Sequence, residues 1–413
     1  MSWLSRRASE IAGRLVRNRD RLPRFLDRLI TSASKNPDGV VGRMASLLLA
    51  GSSQDLPAAT TAPPTPTRIY IGPTNYAGQG YLWARALIAS RESIGARNME
   101  VELPGTFAFP ADTVVPVGVY NRSKRWQERE FEAVAGFTHV LLEAERPLFG
   151  TLFDRDIRRE VDALQQRGLS VAYLSHGTDA RSPRNHTERT PWSPFADDAQ
   201  EAARLQADAD HNIALLVATD RPVFVSTPDL LFDLPSATWC PVVVDPSQWA
   251  GARPLLSAPR PVVAHIPSMS SMKGTHLIEA PIRALAERGT VDYRGITGVP
   301  AASMPAIIGD TDIVLDQFRL GSYGVAACEA MAAGRVVVGH VLPDVRDHVR
   351  RATGLSLPIV EATPTTLAVV IAELLGDPAR MKAIGAQSAE FVALVHAGPL
   401  SAAVLTSHWI DAC

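Results

Sequence analysis

Several places in this chain carry side chains able to hold a charged, hydroxylated ligand. Glu329 stands in a run of small residues, Val325 to Ala333, where little else is polar. A carboxylate is an acceptor only, and a sugar hydroxyl is a suitable donor for it. Lys273 closes the polar loop Pro267-Ser268-Met269-Ser270-Ser271-Met272-Lys273-Gly274. A lysine there can carry the charge of a diphosphate, while the Ser268 hydroxyl and loop N–H groups add hydrogen bonds. His176, Asp179 and Arg181 follow the apolar run Ser170–Ser175. His176 can bond a substrate hydroxyl, and Asp179 or Arg181 can orient it or bind an acceptor charge. The alternative is a polar turn in which Asp179 caps the next segment. A glycine loop, Thr74 to Gly80, lets a ligand approach the backbone closely at Gly78 and Gln79.

The elements around these residues follow from the apolar pattern. Ile313-Val314-Leu315 and Val336-Val337-Val338 read as strands buried on both faces. Between them lie the turn Gly321-Ser322-Tyr323-Gly324 and a helix from Val325, which Gly334 ends as a C′ glycine. A helix start directly after a glycine turn offers free N–H groups and a positive dipole end, which suit an anion. Ile69–Ile71 and Val262–Ile266 are strands that open two α/β halves, each followed by a polar or glycine loop and a helix. Ligands of open α/β sheets gather at the carboxyl ends of strands, so the loops there are the place to look.

The 311–341 stretch resembles the signature of the retaining, GT-B-fold glycosyltransferases of the family 1/family 4-like group. Ser322-Tyr323-Gly324 stands for their Gly-Phe-Gly, and Glu329-Ala330-Met331-Ala332 matches their Glu-Ala-Met-Ala. Gly321 takes the place of the first acid of the Glu-x7-Glu pattern, and Asp316-Gln317 precedes the turn as in a subset of these enzymes. Lys273-Gly274 matches the family's Gly-Arg…Lys-Gly loop, with Ser268 where the Arg is usual. The resemblance implies two Rossmann-like domains facing a cleft. It implies a nucleotide-diphosphate sugar held by Ser268, Lys273, Gly274, Tyr323, Gly324, Val325 and Glu329. His176 and Glu329 would serve the reacting sugar and the ribose, and Gly78, Gln79, Asp179, Arg181 and Asp316 would face the acceptor or cleft. No metal and no further cofactor is implied.

Bulk composition fits this. The chain has 413 residues, 46% hydrophobic and 20% charged, with a formal net charge of -2, so no nucleic-acid footprint stands out. Cys240, Cys328 and Cys413 are scattered without metal-ligand spacing, as in a reducing cytosol. No apolar run reads as a membrane span, and the basic N-terminus lacks the apolar core of a signal peptide. Residues 1–50 interleave arginines with apolar residues at helical spacing. Either a helical extension packed on the protein, or contact of residues 1–30 with an anionic membrane, fits them. Residues 51–67 read as a Pro/Thr-rich linker, 68–245 as the N-terminal acceptor domain and 246–261 as an interdomain linker. Residues 262–395 read as the nucleotide-sugar domain, and 396–413 as a C-terminal helix, crossing back to the first domain as the resemblance implies. The expected activity is transfer of a sugar, with retention and without metal, to an unknown acceptor in the cytoplasm. A binding or partner protein without turnover is the alternative, and a sugar-nucleotide epimerase ranks below it.

Overall fold

The computed structural model describes residues 56–103 and 109–412. The N-terminal extension, and the membrane contact expected of it, lie outside the described residues. The chain divides into two compact units that meet at Leu174–Ser175.

In the first unit, β1 (Thr67–Gly72), β2 (Ile94–Glu102), β3 (Thr113–Pro116), β4 (His139–Glu143) and β5 (Ser170–Ser175) run parallel in the order β3-β2-β1-β4-β5. Ile69, Tyr70 and Ile71 of β1 are all fully buried, the two-sided burial of an inner parallel strand. Helices α1 (Gln79–Ser90), α2 (Lys124–Val134) and α3 (Ile157–Gln166) connect the strands. Asp156 caps α3 by accepting from the amides of Arg158 and Arg159. Residues 56–66, the described part of the expected linker, have no regular structure but are held down. The Thr60 amide donates to the buried Glu130 carboxylate at 2.9 Å. A Cβ added to Gly95 would fall 2.5 Å from the Pro63 ring. Contact with β2, rather than composition, therefore fixes the path of this segment.

The second unit opens with α4 (Pro183–Arg189) and α5 (Ala199–Ala218), followed by the parallel pair β6 (Val223–Val225) and β7 (Thr238–Trp239). Residues 181–194 read from sequence as a loop, yet α4 lies there. Ser182 accepts from the Asn185 amide and Pro183 occupies the first turn, a helix start that outweighs the weak periodicity. A second sheet contains β8 (Val262–His265), β9 (Asp292–Gly295), β10 (Ile313–Leu315), β11 (Val336–Gly339) and β12 (Val360–Glu361) in the parallel order β12-β11-β10-β8-β9. Its helices are α6 (Thr275–Glu287), α7 (Val325–Ala332), α8 (Pro343–Thr353), α9 (Leu367–Leu375), α10 (Pro378–Val395) and α11 (Pro399–Leu405).

Val263, Ile313, Leu315, Val336 and Val338 of this sheet pack with Ile278, Ile282, Leu367, Ile371 and Met381 into one core. Each such side chain stabilises the fold by about 1.5–3 kcal/mol when fully buried. The 246–261 segment is anchored too. Arg253 forks onto Asp312 at 2.8 and 3.1 Å, and the buried Asp312 also accepts from the amides of Leu256 and Val262. The stretch Pro378–Ile410 has the length and composition of a membrane span, and half of its most apolar window is buried in the protein. Gly398, at φ 109°, and Pro399 break it into α10 and α11.

Candidate functional site

Lys273, Asp316 and Glu329 come together at the carboxyl end of the second sheet. Lys273 ends a one-turn helix, Ser270–Lys273, which Gly274 closes at φ 83°. Its ammonium donates to Asp316 Oδ1 at 2.7 Å, and Asp316 is almost fully buried just past β10. The Phe318 amide donates to the Lys273 carbonyl at 3.0 Å, so the two turns are joined by backbone as well. Asp316, expected to face the acceptor, is thus placed on the lysine.

Glu329 lies in the second turn of α7, half-buried, and its carboxylate accepts no hydrogen bond among the described residues. Burial pushes the Glu329 carboxyl up to about 7, while the Lys273 ammonium pulls it down. The start of α7 has no side-chain cap. Gly324 precedes it in an extended conformation, and a Cβ added there would meet nothing within 4 Å. The helix therefore starts without a side-chain cap and with open space at Gly324, and Glu329, one turn on, feels the charge of Lys273. That arrangement can accept an anion and a hydroxyl side by side.

The other expected donor-site residues fall in different positions. Ser268 is exposed at the rim of the loop and Val325 is half-buried. Tyr323 is buried, and its hydroxyl pairs with His396 Nε2 at 3.3 Å, so only its backbone can face a ligand. His396 in turn contacts the Val242 carbonyl at 2.8 Å, and burial holds its imidazole down at about 4, hence neutral.

His176, Asp179 and Arg181 do not form one reactive cluster. Asp179 accepts from the backbone amides of His176, at 2.6 Å, and Gly177, closing the turn after β5. The local alternative of a capped polar turn accounts for it, with the cap directed back rather than forward. Arg181 is buried and bonds Asp229 through Nε at 2.8 Å and a terminal nitrogen at 2.6 Å. Burial raises the Asp229 pKa, but the Arg181 charge and the hydroxyls of Ser322 and Thr227 more than offset it, leaving the carboxyl below its usual range. Arg181, expected to orient the histidine or bind an acceptor charge, has its guanidinium on a buried carboxylate of the protein. His176 stays half-buried at the strand end.

In the first unit, Gly78 adopts φ 74° and Gln79 is buried at the start of α1. The amides of Thr74 and Asn75 donate to Glu143 Oε2 at 3.1 and 3.0 Å. This glycine loop is wrapped around a carboxylate of its own unit.

Comparison with known proteins places this architecture. No family model matches the chain, and no curated protein matches it by sequence. Among solved structures, Anabaena Alr3699/HepE in complex with UDP and glucose matches with a TM-score of 0.51 and 12% identity, over 84% of this chain and 99% of that one. Sucrose-phosphate synthase from Thermosynechococcus elongatus matches with a TM-score of 0.49 and 15% identity, over 81% and 96% of the two chains. WaaG, a glycosyltransferase involved in lipopolysaccharide biosynthesis, matches with a TM-score of 0.47 and 12% identity, over 82% and 99%. The fold is GT-B. Its two parallel-sheet Rossmann-like domains are those expected from the sequence.

Within this GT-B chain, the departure at Gly321 has a steric cause. Gly321 sits at φ 65°, and a Cβ there would lie 2.6 Å from Leu342 Cγ. A side chain at this position would strain the left-handed backbone and press on the Leu342 side chain, which would have to give way.

Two residues around the Lys273 loop, His265 and Arg319, stand outside the expectations from the sequence. His265, buried at the end of β8, bridges the Leu315 carbonyl at 2.8 Å and Thr275 Oγ1 at 2.9 Å. It fastens both ends of the Lys273 loop, and burial keeps it neutral by lowering its pKa to about 4. A histidine following three strand residues could have suggested such an anchor. Nothing local pointed to Arg319.

Proposed function

We propose that this chain is a glycosyltransferase that takes its sugar from a nucleotide-diphosphate donor bound in the second unit. One observation carries the reading: Lys273, paired with Asp316, acts on Glu329, whose carboxylate has no hydrogen-bond partner among the described residues and whose helix, α7, starts without a side-chain cap. When the bond from the anomeric carbon to the diphosphate breaks, negative charge grows on the phosphate oxygens. Lys273 keeps two donors beyond the one on Asp316, and with the α7 amides it stabilises that charge in place. Ser268 at the rim adds a hydroxyl. Glu329, once ionised, accepts hydrogen bonds from ribose hydroxyls. His176 meets the sugar or the acceptor. Transfer proceeds with retention and without a metal, as in the family the signature resembles. The HepE structures contain UDP and UDP-glucose, which makes uridine nucleotides the first donors to test.

The test is incubation of the full chain with UDP-, GDP-, ADP- and TDP-sugars, with and without candidate acceptors, followed by NMR of the products. Release of a nucleoside diphosphate with an axial or equatorial anomeric bond matching the donor supports retaining transfer. An isomeric nucleotide sugar without diphosphate release would instead identify an epimerase.

The alternative of a binding protein without turnover also has an observation in its favour, since Asp316 already neutralises Lys273. Donor binding without product, under conditions that include acceptors, would favour it.

A further inference from the structure

The turn carrying Lys273 is fixed to the rest of the unit at several points, and Arg319 is the centre of that fastening. The Arg319 side chain is 4% exposed although it carries a full charge. Its Nε donates to the Trp192 carbonyl at 2.8 Å. One terminal nitrogen donates to the Ser193 carbonyl at 2.8 Å and to Asp197 Oδ1 at 2.7 Å. The other reaches Asp197 Oδ2 at 2.6 Å and the Ser271 carbonyl at 3.1 Å. This is the planar fork geometry that only arginine provides, two-pronged on a carboxylate with the remaining donors on backbone.

Ser271 belongs to the single helical turn that ends at Lys273. The methylene stem lies against the next residue: a Cβ added to Gly274 would be 2.8 Å from Arg319 Cγ. Three consecutive contacts thus bind this turn to the segment after β10. They are the Lys273 ammonium on Asp316, the Phe318 amide on the Lys273 carbonyl, and the Arg319 guanidinium on the Ser271 carbonyl. Through Trp192, Ser193 and Asp197, the same guanidinium brings in the stretch between α4 and α5.

We propose that Arg319 is a positioning residue that sets the conformation of the Lys273 turn, coupling it to residues 192–197. The relevance of this to donor binding rests on the function proposed above. Arg319 touches no ligand in this account. Its effect is exerted through the Lys273 turn, whose ammonium pairs with Asp316, three residues before Arg319. A lysine at position 319 keeps the charge but cannot reach three carbonyls and both carboxylate oxygens at once.

The experiment pairs two readouts on the full chain and on the Arg319→Lys and Asp197→Asn variants. The first is amide hydrogen exchange at residues 270–275 and 192–197. The second is UDP binding by calorimetry. Asp197 is about half-exposed, so its substitution spares the core and keeps the test informative if Arg319→Lys destabilises the fold. The expected result is faster exchange in both segments for Arg319→Lys, with UDP affinity lower by about tenfold to a hundredfold, as for a displaced positioning group. Asp197→Asn gives the same pattern at smaller size. Unchanged exchange at 270–275 in both variants overturns the proposal. Changed exchange with unchanged UDP affinity also overturns it as a statement about donor binding. If the wild type binds neither UDP nor any other nucleoside diphosphate while exchange still changes, the coupling holds and the donor-site reading fails.

Discussion

The two glycine loops of this chain start from the same sequence pattern and end in opposite states. Each follows the first strand of an α/β half, contains glycine in the left-handed region and leads into a helix. In the first unit, the amides of Thr74 and Asn75 are taken up by Glu143, and the Asn75 side chain donates to Glu100 at 2.8 Å and to the Pro110 carbonyl at 3.1 Å while accepting from the Tyr81 amide. In the second unit, the loop presents a lysine, and the nearby α7 leaves its first amides without a side-chain cap. Backbone shape is therefore a poor guide to a ligand site. What separates the loops is what the protein's own carboxylate takes up: Glu143 takes the backbone amides of the first loop, whereas Asp316 takes the lysine ammonium of the second.

The comparison can be broken most decisively at Lys273. Lys273→Ala leaves Asp316 buried without its cation and removes the donor-facing charge, so nucleotide affinity should fall by about 2–5 kcal/mol. Titration calorimetry reads this directly, and an affinity equal to wild type would place the donor elsewhere. Next in size is Gly321→Glu, which introduces the first acid of the signature that the 311–341 stretch resembles. The left-handed backbone and the Leu342 contact predict a loss of stability of about 1–3 kcal/mol in denaturant unfolding, with no gain in binding. A stable variant with tighter sugar binding would show that the turn adapts.

Glu143→Gln probes the other loop. It sets an amide group where two backbone N–H donors need acceptors, and should cost about 1–3 kcal/mol of stability while leaving nucleotide affinity unchanged. A loss of affinity without loss of stability would mean that the first loop is itself a ligand site.

The smallest effect is the pH dependence of Glu329. Only the ionised carboxylate accepts from a ribose hydroxyl, and the free group titrates near 7. Affinity should rise with pH through about 7 and fall by up to tenfold per unit below it. Stability moves the other way. The folded carboxyl holds its proton more tightly than the unfolded one, so the contribution present below about 4.5 is lost as pH rises to about 7. Glu329→Gln should flatten both profiles, and a wild-type affinity independent of pH between 5 and 8 would argue against a ribose contact.

Much of the fold was legible because buried parallel strands announce themselves with β-branched runs. The apolar run Ser170–Ser175 is β5, with the same bounds. Strand β2 was missed because Arg97, Asn98, Glu100 and Glu102 make it look like a polar loop. Its buried Asn98 pairs with Asp112, the backbone amide of each donating to the side chain of the other. Of the candidate site, Lys273 and Glu329 stood out as isolated charges at an element end and on a small-residue helix. Arg319 did not, because its carboxylate partner is 122 positions away and no local pattern encodes a pairing at that separation. Arg181 stood out at a strand end, but position there cannot distinguish a ligand-facing arginine from one turned inward onto Asp229.

The most direct measurement is a thermal-shift panel of UDP-, GDP-, ADP- and TDP-sugars against the wild type and Lys273→Ala. A ligand that binds only the folded chain at a hundred times its Kd stabilises it by about 2.7 kcal/mol. The account predicts that one nucleotide series raises the wild-type Tm and leaves that of Lys273→Ala unmoved. A shift of equal size in both proteins, or none in the wild type at saturating concentration, would contradict it.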